Sequence, residues 1–190
     1  MEITLKHQPS FSLAVVQLDP NEQIKAEPGA MVSFSDGVQV ETKAEGGFLG
    51  GLKRMVGGES FFQNTYQAPA QGGEITLAPS LPGDMIVMEI EGEGLMLQSG
   101  AYIASESGVR FDTSWGGSKG FFGSGSLLLL RVSGQGTLLA GCYGALEERI
   151  LKPGERYTVD TGHIVAFDPS ISFQVRRVGS WKSTLLGGEG

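Results

Sequence analysis

The sequence predicts an all-β fold, a double-stranded β-helix or β-sandwich built from three pseudo-repeats of about 65 residues. Three observations carry this: alternating or β-branched runs at close intervals, turn residues between them, and a segment pattern that occurs three times. Thirty glycines and eight prolines among 190 residues exceed the roughly 12% that the two contribute to an average chain, which favours tight turns. With 40% hydrophobic residues the chain can bury one core, so residues 1–190 read as a single all-β domain.

In chain order the strand candidates begin with the alternating "MEITLKHQPSF", followed by "LAVVQL", "MVSF", "VQVE", "EITLA", "MIVMEI" and "LMLQ". After these come "LLLLRV", "TLLAG", "YTVD", "HIVAF" and "ISFQVRRV". Each suits a pleated surface with one buried face, where β-branched and apolar side chains pack well. Between them stand Asp19-Pro20-Asn21, Pro28-Gly29, Asp36-Gly37, Pro82-Gly83-Asp84, Pro153-Gly154 and Asp168-Pro169. There proline presets φ and glycine permits positive φ.

The three repeats align without gaps around Gly29, Gly100 and Gly162. "IKAEPGAMVSFSDGVQVE" from Ile24, "LMLQSGAYIASESGVRFD" from Leu95 and "YTVDTGHIVAFDPSISFQ" from Tyr157 all read strand, glycine turn, strand, turn, strand. A second element recurs with them: "LKRMVGGES" from Leu52, "SKGFFGSGS" from Ser118 and "WKSTLLGGEG" from Trp181. Each pairs a lysine with apolar residues and a Gly-rich turn. The first two copies run on into "FFQNTY" and "LLLLRV", so the repeat predicts that a C-terminal strand is missing after the third.

These glycine-rich loops hold the candidate contact residues. The apolar ones are Phe48, Leu49, Leu52, Met55, Phe121, Phe122, Leu185 and Leu186; the cations are Lys53, Arg54, Lys119 and Lys182. Apolar side chains in loops need burial, and an oligomer interface is the leading reading, ahead of core packing and then of membrane contact. Trp115 and Trp181 precede the second and third loops as aromatic anchors. The cations, gathered by stacking of the repeats, would form a ring able to attract phosphate or another anionic partner.

Taken together, "GGFLGGLKRMVGGESFFQNTY", "LPGDMIVMEIEGEGLMLQSGAYIASESGV" and "GALEERILKPGERYTVDTGHIVAF" resemble bacterial members of the altered-inheritance-of-mitochondria family, which is similar in fold to the tryptophan RNA-binding attenuation protein. The resemblance covers essentially the whole chain. It implies a double-stranded β-helix or β-sandwich and homotrimers, with no established catalytic activity in the bacterial members. It also implies one further strand beyond the final Gly-Gly-Glu-Gly, which leaves open how the last sheet edge is covered.

A formal charge of -7 and a pI near 4.8 disfavour broad nucleic-acid binding, which needs Lys and Arg against phosphates. DNA is excluded as a partner on this ground, and RNA is disfavoured outside a local basic patch. Cys142 is the sole cysteine, so no intrachain disulfide or thiolate cluster can form, and it reads as a small packed side chain. No basic n-region precedes an apolar stretch, and the longest aliphatic run is Leu127 to Leu130; the reading is soluble and cytoplasmic.

Chemical motifs are weak. "GGSKG" around Ser118 imitates a nucleophile elbow, but an elbow requires a strand before the serine and a helix after it. Lys53 lacks the P-loop spacing and its loop lies between strand candidates. Cupin-type metal binding needs clustered histidines, whereas only His7 and His163 exist, with Ala30 and Ala101 at the positions matching His163. Glu27, Asp36, Glu106 and Asp160 are turn carboxylates whose ordinary role is to accept from local amides.

The sequence therefore points to a non-catalytic oligomeric scaffold or interaction module with an unidentified protein partner, no cofactor and no metal. Two alternatives stand beside it: a small-molecule or RNA-binding module, and a cupin-like metal enzyme.

Overall fold

The computed structural model describes residues 1–43, 63–112, 121–122 and 127–175. Its strands in chain order are β1 (Glu2–Lys6), β2 (Leu13–Leu18), β3 (Gln23–Ala26), β4 (Met31–Phe34), β5 (Gln39–Lys43), β6 (Gln63–Gln67) and β7 (Gly73–Leu77). After them come β8 (Met85–Gln98), β9 (Tyr102–Glu106), β10 (Val109–Asp112), β11 (Phe121–Phe122), β12 (Leu127–Gly141) and β13 (Ala166–Phe167). Among the described residues the only helical elements are 3-10 turns at Ser99–Ala101 and Thr161–His163.

The strands form two antiparallel sheets. One runs β1-β2-β7-β4, the other β13-β8-β12-β9-β3-β6-β5, with β10 and β11 also paired to β12. Alternation explains which faces meet. In β2 the buried residues are Ala14, Val16 and Leu18, and Ile75 and Leu77 of β7 join them in the core. Ile24, Ala26, Tyr66, Ile103 and Leu139 from the second sheet complete this cluster, which makes the molecule an all-β sandwich. A second cluster gathers Ile90, Leu97, Tyr102, Val109, Leu130, Val132 and Leu138. Burying each large side chain stabilises the fold by roughly 1.5–3 kcal/mol.

Two ladders share one pattern. In one, β3 pairs with β9 through Ile24↔Glu106, Lys25↔Ser105 and Ala26↔Ala104, continued by the Glu27 amide donating to the Ile103 carbonyl at 2.8 Å. In the other, β8 pairs with β13 through Met96↔Phe167 and Leu97↔Ala166, continued by the Gln98 amide donating to the Val165 carbonyl at 2.9 Å.

Three strand expectations need correction. "MIVMEI" and "LMLQ" are one strand, β8, and "LLLLRV" and "TLLAG" are one strand, β12, paired along almost their whole length. The intervening glycines do not turn the chain back. At the register shift between Val132 and Ser133 the unpaired residue is Gly94 of β8, while Gly92 and Gly134, at φ of 67° and 103°, stay paired with each other; this is the geometry of a bulge rather than of a turn. The "YTVD" segment and the start of "ISFQVRRV" are not strands of either sheet; their apolar alternation meets no complementary face among the described residues. Cys142, expected to be packed, is half-buried just after β12.

Candidate functional site

Of the loop residues picked out by sequence, Phe48, Leu49, Leu52, Lys53, Arg54, Met55, Lys119, Lys182, Leu185 and Leu186 lie outside the described residues, as do Ser118, Trp115 and Trp181. Phe121 and Phe122 are placed as β11, paired with Leu128 and Leu127 of β12. Strands β5 and β6 are antiparallel neighbours, with Lys43, where β5 ends, paired with Gln63, where β6 begins.

Two of the turn carboxylates, Asp160 and Glu106, accept from backbone amides. Asp160 Oδ2 accepts from the Gly162 amide at 3.0 Å, which caps the 3-10 turn carrying the exposed His163. Glu106 Oε2 accepts from the Thr137 amide at 3.1 Å, while the Thr137 hydroxyl donates to Glu89 Oε1 at 3.1 Å. Gly136 makes the first of these bonds possible, since a Cβ there would stand 2.3 Å from Glu106 Oε2. Glu27 is half-buried, and that burial raises its pKa. The open groove beside Glu89, Glu106 and Thr137, about 580 Å³, is acidic, and among the described residues no three His, Cys, Asp or Glu converge to hold a metal.

What does stand out is a sheet edge that no other described strand covers, which sequence reasoning missed. Strand β4 ends the four-stranded sheet, with a ladder only to β7 among the described residues, and all four of its residues are exposed. Val32 is 56% and Phe34 42% exposed, and Met31 lies with them. Two other outer strands carry charges that deter further pairing, Glu2 and Lys6 on β1 and Glu41 on β5, whereas β13, uncharged as well, is only two residues long. The residues of β4, "MVSF", include no charge and no proline. A second exposed apolar stretch follows β12, with Tyr157 and Val159; the Arg149 guanidinium lies 4.0 Å from the centre of the Tyr157 ring. The sequence signal for both was present, an uncharged apolar strand and a third first-strand segment, but alternation alone reads them as buried.

A family model described as "Mitochondrial biogenesis AIM24" matches residues 3–190. The chain belongs to the AIM24 family. An uncharacterized protein of Streptococcus pyogenes serotype M6 is 28% identical over 200 residues, covering 100% of this chain and 79% of that protein. The X-ray crystal structure of a Streptococcus pyogenes protein superposes with a TM-score of 0.78 at 26% identity, covering 100% of this chain and 86% of that one. The AIM24 fold is thus shared with a crystallographically determined relative. Neither comparison attaches a reaction to the family, and no helix among the described residues is long and apolar enough to cross a membrane.

Proposed function

We propose that this AIM24-family chain is a non-catalytic, cytoplasmic interaction module that works as a homo-oligomer, a trimer by its family resemblance. The observation that carries the reading is the uncharged edge strand β4, whose four residues are all exposed and which pairs only with β7 among the described residues. Contiguous apolar surface of this kind marks a contact rather than a reaction centre, and a bare edge offers a row of backbone donors and acceptors to a further strand. The glycine-rich loops add apolar and cationic residues for an unidentified protein partner.

The three-unit construction belongs to the same reading and is supported by repeated registers. The β3·β9 and β8·β13 ladders join matching positions of successive repeats, and the amide bonds from Glu27 and Gln98 match as well. So do the bulges: β4 skips Val32 against β7, and β9 skips Ile103, the matching residue, against β12. A chain of like units joined edge to edge builds readily into larger assemblies.

Light scattering and sedimentation velocity across a concentration series test the reading. The expected result is a defined multimer that Val32→Lys converts to a folded monomer. A wild-type protein that stays monomeric at every accessible concentration would refute it.

A further inference from the structure

We propose that the end of the sandwich carrying Phe11, Leu81 and Tyr143 docks on an anionic lipid bilayer, with these three side chains entering the headgroup region. The surface uses neither the edge of β4 nor the glycine-rich loops, and it goes beyond the oligomer reading.

Three connections meet at this end: residues 7–12 between β1 and β2, residues 78–84 between β7 and β8, and residues 142–144 after β12. Backbone hydrogen bonds brace them against one another. The Ser12 amide donates to the Gly83 carbonyl at 3.0 Å, the Gly144 amide to the Pro82 carbonyl at 3.1 Å and the Asp84 amide to the Gly144 carbonyl at 2.9 Å. Phe11 precedes Ser12, Leu81 precedes Pro82 and Tyr143 precedes Gly144, so each large side chain stands one position from this network.

Phe11 is 70% exposed, Leu81 59% and Tyr143 74%. Residues 7–11, 80–82 and 143–145 around them are exposed throughout. Large apolar side chains gathered on one surface mark a contact. A tyrosine in such a set fits a lipid boundary, where its ring is buried and its hydroxyl stays among the headgroups.

Charge distinguishes the two ends of the four-stranded sheet. The registers place Glu2, Asp19, Asp36 and Glu74 at the end opposite Phe11, and Glu22 joins them there with the Met1 ammonium, held at 3.0 Å. At the Phe11 end stand Lys6 and His7, both exposed. Two carboxylates of this end are drawn into the protein: Asp84 Oδ1 accepts from Gln8 Nε2, the Ser12 hydroxyl and the Met85 amide, and Glu27 is half-buried. Glu147 and Glu148 follow Tyr143 by four and five residues, with Arg149 beside them. A chain of this polarity meets an anionic surface with its Lys6 end foremost.

The test uses vesicles of phosphatidylcholine alone and of phosphatidylcholine with phosphatidylglycerol in equal parts. In a Cys142→Ser background, Phe11→Cys and, in the turn at the far end of β4, Asp36→Cys are labelled with a polarity-sensitive fluorophore. The label at position 11 should shift to the blue with the anionic vesicles and the label at position 36 should not. In flotation, Phe11→Ser/Leu81→Ser/Tyr143→Ser should lose about tenfold or more in affinity for the anionic vesicles, and Lys6→Glu should weaken binding as well. Circular dichroism checks that each variant folds.

No flotation of the wild type, equal binding to both vesicles, equal shifts of both labels, or a triple Ser variant that floats like the wild type would overturn the proposal. If the triple Ser variant instead lowers the mass read by light scattering while the wild type ignores vesicles, this end is a contact between copies and the lipid reading falls.

Discussion

The Ser12 hydroxyl donates to Asp84 Oδ1 at 2.9 Å, tying the start of β2 to the start of β8 across 72 residues of sequence. The same oxygen accepts from Gln8 Nε2 at 3.0 Å and from the Met85 amide at 2.8 Å. Burial opposes ionisation there, but the bonds from Gln8, the Met85 amide and Ser12 outweigh it and hold the carboxyl below its ordinary range. A lowered pKa means that the stabilisation is present above the unfolded value of 3.8 and is lost as pH falls through the folded value. Asp84→Asn should cost roughly 1.5 kcal/mol near neutral pH. Its unfolding midpoint should converge on that of the wild type as pH drops below the ordinary carboxylate range. A constant gap at all pH values would show that the charge is not what matters.

Tyr102 is the hub of a buried polar network. Its hydroxyl accepts from Gln63 Nε2 at 2.7 Å and donates to the Lys25 carbonyl at 3.0 Å, with Ser105 Oγ at 3.2 Å. Its ring meets Phe111 edge-on. Gln63 Oε1 is buried without a hydrogen-bond partner, so the network already carries one unsatisfied atom. Tyr102→Phe should destabilise by about 2 kcal/mol by stranding the Gln63 amide as well. Gln63→Leu, made in that background, should recover part of the loss. Denaturant unfolding of the two single variants and the double closes the cycle, and strict additivity would contradict the coupling.

Gly83 allows two backbones to touch. It bridges Gly144 in parallel, and a Cβ on it would stand 1.7 Å from the Cys142 carbonyl oxygen. Around it the Ser12 amide donates to the Gly83 carbonyl at 3.0 Å and the Cys142 amide to the Asp84 carbonyl at 3.0 Å. Gly83→Ala must move backbone, so a loss of about 3 kcal/mol is expected. Gly154→Ala is a useful contrast, because nothing lies near its Cβ position and only its φ of +81° is strained. It should cost about 1 kcal/mol. Thermal melts that place the two variants level would refute the packing argument.

Leu138 is fully buried on β12 between Met88 of β8 and Ser105 of β9. Leu138→Ala should cost roughly 3 kcal/mol through lost burial and the cavity left behind. Val32→Lys, at an exposed position, should change the stability of the isolated chain by less than about 0.5 kcal/mol. Urea titration of the two variants separates core from edge; a large loss for Val32→Lys at concentrations where the chain is monomeric would place Val32 in the core instead.

Local pattern made the all-β class and most strand positions legible. "LAVVQL" buries alternate residues as its period demands, and Pro28-Gly29 and Asp36-Gly37 turn the chain where proline and glycine are suited to do so, with Gly29 and Gly37 at positive φ.

Tertiary structure alone decided which strands become neighbours. Gly92, Gly134 and Gly136 look like turn residues locally, yet they lie inside or beside the long β8·β12 ladder, since whether a glycine bends back or bulges depends on the strand opposite. "MVSF" and "YIAS" have the same apolar character. β9 is nonetheless buried between two partners, while β4 is exposed and has one among the described residues. Pairing is a contact between residues far apart in sequence, and no local pattern records whether the second partner is present. For that reason the sequence directed attention to the loops, while the sheet order exposed the edge at Val32.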